Sequence, residues 1–312
     1  MGITYTVDGE PVATLPAAVG VYRFYGDGPV PLYIGKSLHI ARRFSQHLRE
    51  ARSSERHRRL LQGTQRVDCT LTVGDVGAQL LENSEIKRHL PLFNRRQRRV
   101  QRPVTLCLTE DPQHFLQAQA TPTSEYLPQG SVHHYGLFRN APRARDYLLA
   151  LARREQLCLR VLGLESGPGP CFARQLKRCL GACSGEESAA QHNRRLLAAL
   201  QQIQLAAWPW PHPVLLREDN PPERTQAWHW VNQWQYRGSF TTLRQLPRTE
   251  EALASSPQAL DLDSYRILLR AFRQPAASLF AYFPQARKRT EPLLNNNFAG
   301  SADEPGLDLV QA

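Results

Sequence analysis

Gly20-Val21-Tyr22-Arg23-Phe24-Tyr25 and, after seven intervening residues, Tyr33-Ile34-Gly35-Lys36 are the stretches that decide the fold. Residues 19–25 alternate and are rich in aromatic side chains, the pattern of a half-buried strand. Gly26-Asp27-Gly28-Pro29 is a turn signal, so residues 30–35 read as the returning strand of a hairpin. Ser37 is placed to cap a helix over residues 38–52. Within it Ile40, Phe44 and Leu48 fall at helical spacing and can pack on the hairpin. Residues 66–73 supply a third strand. A second helix runs over residues 75–89, and Pro91 forces its end. Residues 1–15 read as a loosely structured lead-in.

Further along, residues 103–109 read as a strand, 141–155 and 186–203 as helices, and 158–183 as a loop bearing cysteines. Prolines at 209, 211 and 213 break the chain. Residues 214–217 and 227–240 then read as strands and 263–272 as a helix. The expected class is α+β. A small α/β domain with a three-stranded antiparallel sheet flanked by helices (16–100) precedes a cysteine-bearing helical region (101–204). A small α+β C-terminal domain (205–285) and a polar tail expected to be disordered (286–312) complete the chain. Its five tryptophans, at 208, 210, 228, 230 and 234, are expected to be core.

Charge narrows the function. The net charge of +11 is uneven: residues 1–100 carry 16 Lys/Arg against 9 Asp/Glu, whereas residues 201–312 carry 11 of each. A basic excess concentrated on the first domain points to a polyanion bound through its phosphates. Only four of the 39 cations are lysine, and arginine suits two-pronged phosphate contacts. No apolar run approaches the roughly 18–20 residues of a membrane helix, and no signal peptide opens the chain. The expected location is cytoplasmic, with no membrane partner.

Phosphodiester hydrolysis needs a nucleophile, neutralisation of charge in the transition state and help for the leaving oxygen. The first domain holds groups for each. Glu82, in Leu80-Leu81-Glu82-Asn83, is the carboxylate assigned to a divalent metal, Mg or Mn, because such hard cations take oxygen ligands and use few carboxylates. Glu85 is the poorer candidate. Arg43 and His47 stand four residues apart on one helix face; Arg43 suits phosphate, and His47 a proton or a phosphate oxygen. Tyr22 and Tyr33 bring phenols, which need nearby cations such as Lys36 and Arg43 to act as bases at neutral pH.

In this order and spacing, the two motifs with Gly20 and Gly35, followed by Lys36, Arg43, Glu82 and Asn94, resemble the GIY-YIG endonucleases, and most of all their UvrC branch. The resemblance covers about residues 16–95. It implies that Tyr22 and its neighbours activate water, that Arg43 clamps phosphate and that Glu82 binds the metal. It also implies that Asn94 closes the domain. Two positions depart from the pattern. Val21 replaces the motif isoleucine, and His47 stands where UvrC proteins usually carry a tyrosine.

Four of the six cysteines follow the pattern Cys158-x12-Cys171-x7-Cys179-x3-Cys183. Thiols gathered this closely more often ligate metal than form disulfides. Four cysteines suit structural zinc, while the absence of CxxC pairs leans toward a 4Fe-4S cluster; free thiols are the remaining reading. Cys69 and Cys107 sit in expected strands and read as core. The stretch 171–183 resembles the cysteine-rich region that follows the nuclease domain in UvrC proteins, which is associated with an iron–sulfur cluster.

The residues after 200 show no sign of the UvrB-binding helices, second nuclease domain or paired helix-hairpin-helix motifs of a full UvrC. The resemblance is therefore to a short member of that family. It implies incision of damaged double-stranded DNA on the 3′ side of a lesion, in a complex with a UvrB-like protein, and no 5′ cut. The alternatives are a nucleic-acid-binding or regulatory protein on a nuclease scaffold, and a sequence-specific GIY-YIG nuclease.

Overall fold

The computed structural model describes residues 2–6, 15–94, 103–123, 134–167, 169–246, 260–274, 278–283 and 290–293. The chain is α+β and divides into two compact units. One gathers residues 1–100 with 210–256 and 261–299; the other is built mainly on residues 101–209.

In the first unit, β1 (Gly2–Thr6), β2 (Gly20–Tyr25), β3 (Tyr33–Ser37) and β4 (Arg66–Leu71) form an antiparallel sheet in the order β1-β4-β2-β3. The hairpin and third strand are those read from the sequence. The lead-in is not loose: residues 2–6 pair with β4 from Gly2↔Thr70 to Thr6↔Arg66. Alternation along β2 assigns the two sheet faces. Tyr22 and Phe24 pack with Ile40, Phe44 and Leu60 on one side, and Val21 packs with Ile34, Ala78 and Ile86 on the other.

Helix α1 (Ile40–Glu50) lies on the Tyr22 face. Its buried stripe is Ile40, Phe44 and His47, and Leu48 is exposed. The expected 40/44/48 stripe was one residue off. Position 47 is seven residues, nearly two full turns, from Ile40 and so returns to its face, whereas position 48 is rotated away. The N-cap is His39, whose ring accepts a hydrogen bond from Arg42 N–H; Ser37 Oγ instead accepts one from His39 N–H. A helix unseen in the sequence, α2 (Glu55–Gln62), follows α1 and buries only Leu60. Helix α3 (Asp75–His89) covers the opposite sheet face and ends at Leu90, which takes a left-handed conformation (φ 48°) ahead of Pro91.

Residues 214–293 add a second sheet to this unit, in the order β10-β9-β8-β11-β12. Its strands are β8 (Val214–Asn220), β9 (Thr225–Asn232), β10 (Gln235–Phe240), β11 (Ser278–Tyr282) and β12 (Thr290–Pro292). Residues 290–292 therefore form a strand within the tail expected to be disordered; apart from residue 293 the rest of that tail, like the basic run 95–99, lies outside the described residues. All five tryptophans are buried, as expected.

In the second unit, β5 (Val104–Glu110), β6 (Leu116–Pro122) and β7 (His134–Phe138) form a three-stranded antiparallel sheet. With α4 (Ala141–Arg154) and α6 (Ala189–Leu200) it encloses a core of Leu106, Leu148, Leu151, Leu196 and Leu200. The short α5 (Phe172–Gln175) lies within the cysteine region, between the first and last of its four thiols.

Candidate active site

The hairpin register builds the site. Antiparallel pairing sets Tyr22 opposite Gly35 and Gly20 opposite Ser37, so each motif's glycine meets the other strand. A β-carbon on Gly35 would lie 2.5 Å from the Tyr22 phenol oxygen and 2.8 Å from the Tyr33 ring. Glycine at 35 is therefore what lets the Tyr22 ring lie across β3. Gly20 has a separate reason: a β-carbon there would lie 2.3 Å from the Thr70 carbonyl of β4.

The Tyr22 ring is buried, and its phenol oxygen sits 2.8 Å from His47 Nε2. Burial raises the phenol pKa well above 10, reinforced by Tyr33, and the positive charge of Arg43 opposes it only partly. Tyr22 is thus a neutral phenol at rest. His47 is pushed down to about 4, by burial first and then by the charge of Arg43. It is neutral at physiological pH and accepts the phenol proton's hydrogen bond or donates its own. Tyr33 is half-buried, its ring 6.0 Å from that of Tyr22.

Glu82 arrives from the other sheet face. Its Oε1 accepts the Lys36 backbone N–H at 3.0 Å, at the end of edge strand β3. Its Oε2 accepts no hydrogen bond among the described residues. Burial raises its pKa; the Lys36 N–H, Lys36 and Arg43 pull the other way. Lys36 Nζ meets Asp75 Oδ1 at 2.6 Å. The charge of Arg43 lowers the pKa of Tyr22 and of Glu82 alike, so one guanidinium acts on both the phenol and the carboxylate. A carboxylate desolvated in this way and only partly compensated fits a divalent cation.

Asn94 has a structural place. Its Oδ1 accepts Ile34 N–H at 2.9 Å and its Nδ2 donates to Ile34 C=O at 2.8 Å. One amide thus satisfies both backbone groups on the open edge of β3, as a neighbouring strand would. Glu85 is engaged by both Nε and Nη2 of Arg23, with Arg23 Nε to Glu85 Oε2 at 2.6 Å, which removes it as a metal ligand.

Two acidic residues had no clear signal in the sequence. Asp75 starts α3, yet its side chain answers Lys36 and shares the field at Glu82. Glu218 of β8 caps α3: its carboxylate accepts Val76 N–H at 2.9 Å and Gly77 N–H at 3.0 Å and meets His229 Nε2 at 3.0 Å. Negative charge at a helix N-terminus is stabilising. Asn83 and Lys87, further along α3, both bond Asp261. The helix carrying Glu82 is thereby anchored to the C-terminal sheet region at two points.

The four cysteines from 158 to 183 gather in the second unit, and three of their sulfurs meet closely. Sγ atoms of Cys158 and Cys171 are 3.7 Å apart, and donor atoms of Cys158, Cys171 and Cys183 lie within 4.8 Å of one another. Cys179 packs in the same cluster. Burial raises the Cys158 thiol strongly. Cys171 is lowered instead, because hydrogen bonds from the Arg174 N–H and the other thiols outweigh its burial. Cys69 is core; Cys107 is only half-buried.

The chain matches three family models in succession: the UvrC-like GIY-YIG domain over residues 18–95, the UvrC/Cho excinuclease middle domain over 104–202 and the excinuclease Cho C-terminal domain over 213–283. It is 37% identical over 261 residues to excinuclease Cho of Escherichia coli strain K12, spanning 82% of this chain and 83% of that protein. The chain belongs to the UvrC/Cho excinuclease family. Within that family it is 28% identical over 194 residues to the UvrABC system protein C of Shewanella oneidensis, covering 60% of this chain and 30% of the longer protein. A solved GIY-YIG N-terminal endonuclease domain of UvrC from Thermotoga maritima, bound to magnesium, aligns with 25% of this chain and 85% of its own at 29% identity, with a TM-score of 0.24. Membership of the UvrC/Cho family makes this chain a GIY-YIG endonuclease of nucleotide excision repair. No helix among the described residues is long and apolar enough to cross a membrane.

Proposed function

We propose that the protein hydrolyses one DNA phosphodiester on the 3′ side of a lesion, in a complex of damaged double-stranded DNA with a UvrB-like protein in the cytoplasm. The observation that carries this reading is the Tyr22 phenol lying against Gly35 and bonded to His47 under the charge of Arg43, with Glu82 at the Lys36 N–H of the same strand. Residues 16–100 form the nuclease domain, 101–204 the cysteine region and 205–285 the C-terminal domain.

Each group has a task. Glu82 holds a divalent metal, Mg or Mn, which when bound offsets charge on the phosphate oxygens and the leaving oxygen. Arg43 binds the scissile phosphate, for which its planar fork is suited. Tyr22 accepts a hydrogen bond from the attacking water while its own proton faces His47 Nε2. As the water oxygen bonds to phosphorus and the bridging P–O bond breaks, one proton passes from water to Tyr22 and another from Tyr22 to His47; the leaving oxygen departs with the bond's electron pair and takes a proton from solvent water, and His47 returns its own proton to solvent. Tyr33 and Lys36 line the same end of the hairpin. Gly20, Gly35 and Asn94 maintain the strand geometry that sets these distances.

The cysteine region supports a resident metal group. Three sulfurs within 4.8 Å of one another, with Cys179 packed in the same cluster and Cys171 inclined to ionise, fit either a 4Fe-4S cluster or zinc. Its contribution is to the fold of the second unit; no step of the hydrolysis passes through it.

The test is incubation of the full chain with a singly damaged, end-labelled duplex, with and without a UvrB-like protein and with and without Mg²⁺. The expected product is one nick 3′ to the lesion that requires both additions. Cleavage of undamaged duplex at one fixed sequence without the partner protein would overturn the reading.

A further inference from the structure

Helix α1 carries His47 and Glu50 three residues apart, which places both on one side of its last turn. Helix α2 brings His57 against them. One donor atom from each of His47, Glu50 and His57 lies within 4.8 Å of the others. We propose that this trio is a second metal site, distinct from Glu82, which takes a borderline divalent transition ion of the zinc class.

Four observations carry the proposal. His47 is almost fully buried, its Nε2 is taken by Tyr22, and its Nδ1 has no hydrogen-bond partner among the described residues. A buried ring nitrogen without a partner is costly unless something fills the place. Glu50 divides its oxygens: Oε1 receives Gln46 Nε2 at 2.7 Å, with Arg43 at 3.7 Å, while Oε2 faces His57 Nε2 at 2.8 Å. His57 Nδ1 lies 3.1 Å from Ser54 Oγ, so that the proton can sit on Nδ1 and leave Nε2 free as a ligand. Such a hydrogen bond behind a ligating histidine is the usual support of a metal site.

The ligand chemistry selects the ion. Two imidazoles and one carboxylate suit zinc and its neighbours, and an all-oxygen set suits magnesium. Arg43 and Arg56 bring positive charge to His47, which penalises any ion held by charge alone and leaves imidazole coordination to supply the affinity. Ligands about 2.1 Å from a tetrahedral ion stand roughly 3.4 Å from one another. Glu50 Oε2 and His57 Nε2 stand 2.8 Å apart and all three donor atoms lie within 4.8 Å of one another, so seating an ion takes only side-chain adjustments at the two helix ends.

An ion on Nδ1 fixes the His47 proton on Nε2, where it donates to the Tyr22 oxygen. That tautomer cannot take the Tyr22 proton, so an occupied site brakes the hydrolysis described above. The brake rests on that mechanism; the binding does not.

The experiment counts zinc retained by the full chain after equilibrium dialysis at about 10 µM Zn²⁺, in the wild type and in His57→Ala. The cysteine region is the same in both and cancels in the difference. The wild type is expected to hold one more equivalent than His57→Ala, and His47 to shift to the Nε2–H tautomer in long-range ¹H–¹⁵N spectra. His57→Asn repeats the comparison should the alanine variant fold poorly. Equal zinc content in the wild type and in either folded variant overturns the proposal.

Discussion

His47 is a histidine sealed against a buried phenol, and its environment makes stability depend on pH. Its folded-state pKa is about 4, below the ordinary 6.5. The unfolded chain therefore binds a proton that the folded one refuses. The stability this residue contributes is complete above pH 6.5 and is lost as pH falls from 6.5 toward 4, by up to about 3 kcal/mol. Urea unfolding in metal-free buffer at pH 7.5 and 4.5 measures it: His47→Gln should lose less stability over that interval than the wild type, and equal losses would show that His47 titrates normally. The motif residues Tyr22, Tyr33, Gly20 and Gly35 were legible from their order in the sequence because a hairpin with fixed register converts spacing directly into contact. His47 was legible as a site candidate and misread as a neighbour of the apolar stripe. Nothing local says that a polar ring will enter a core; the partner that satisfies it, Tyr22, is 25 residues away.

At the scale of elements, the strands and helices with strong periodicity were readable, and β1, β6, β7, β11, β12 and α2 were not. β1 pairs with β4 across 60 to 68 residues, from Thr6↔Arg66 to Gly2↔Thr70, and α2 is mostly charged or polar, with Leu60 as its buried residue. Helix α3 was readable along its whole length, but its anchors were not. Glu218, inserted against the α3 N-terminus from β8, is a charged residue at the exposed end of a strand by any local criterion. Its pKa is lowered although burial acts to raise it: His229 and the Gly77 and Val76 amides outweigh that burial. Its stabilising effect is therefore present above the ordinary carboxylate pKa and fades as pH falls through the depressed value. Glu218→Ala removes charge-assisted hydrogen bonds to two orphan amides and should destabilise the protein by about 2–3 kcal/mol at pH 7. Urea denaturation of wild type and variant checks the figure, and a loss under about 0.5 kcal/mol would mean that the α3 N-terminus finds water instead.

Across the whole molecule, the sequence divides where its chemistry changes, and the structure groups the pieces differently. Residues 210–256 and 261–299 join residues 1–100 in one compact unit. The bonds that fix α3 there, from Glu218 and Asp261, are made by common surface residue types that carry no sequence pattern. The cysteine cluster was legible because cysteine is rare and its clustering is informative, and the sulfurs do meet. The basic excess lies in residues 1–100, the same segment that supplies Tyr22, Arg43 and Glu82.

The central claim is that these three side chains act on one phosphate. The most direct test measures nicking and DNA affinity together in Glu82→Ala and Arg43→Ala, with Mg²⁺ and a damaged duplex bound by a UvrB-like protein. The account predicts that nicking by each variant falls about 100- to 1,000-fold, on the order of the loss of one electrostatic transition-state contact, while binding changes by less than about tenfold. Nicking at the wild-type rate by either variant would contradict it.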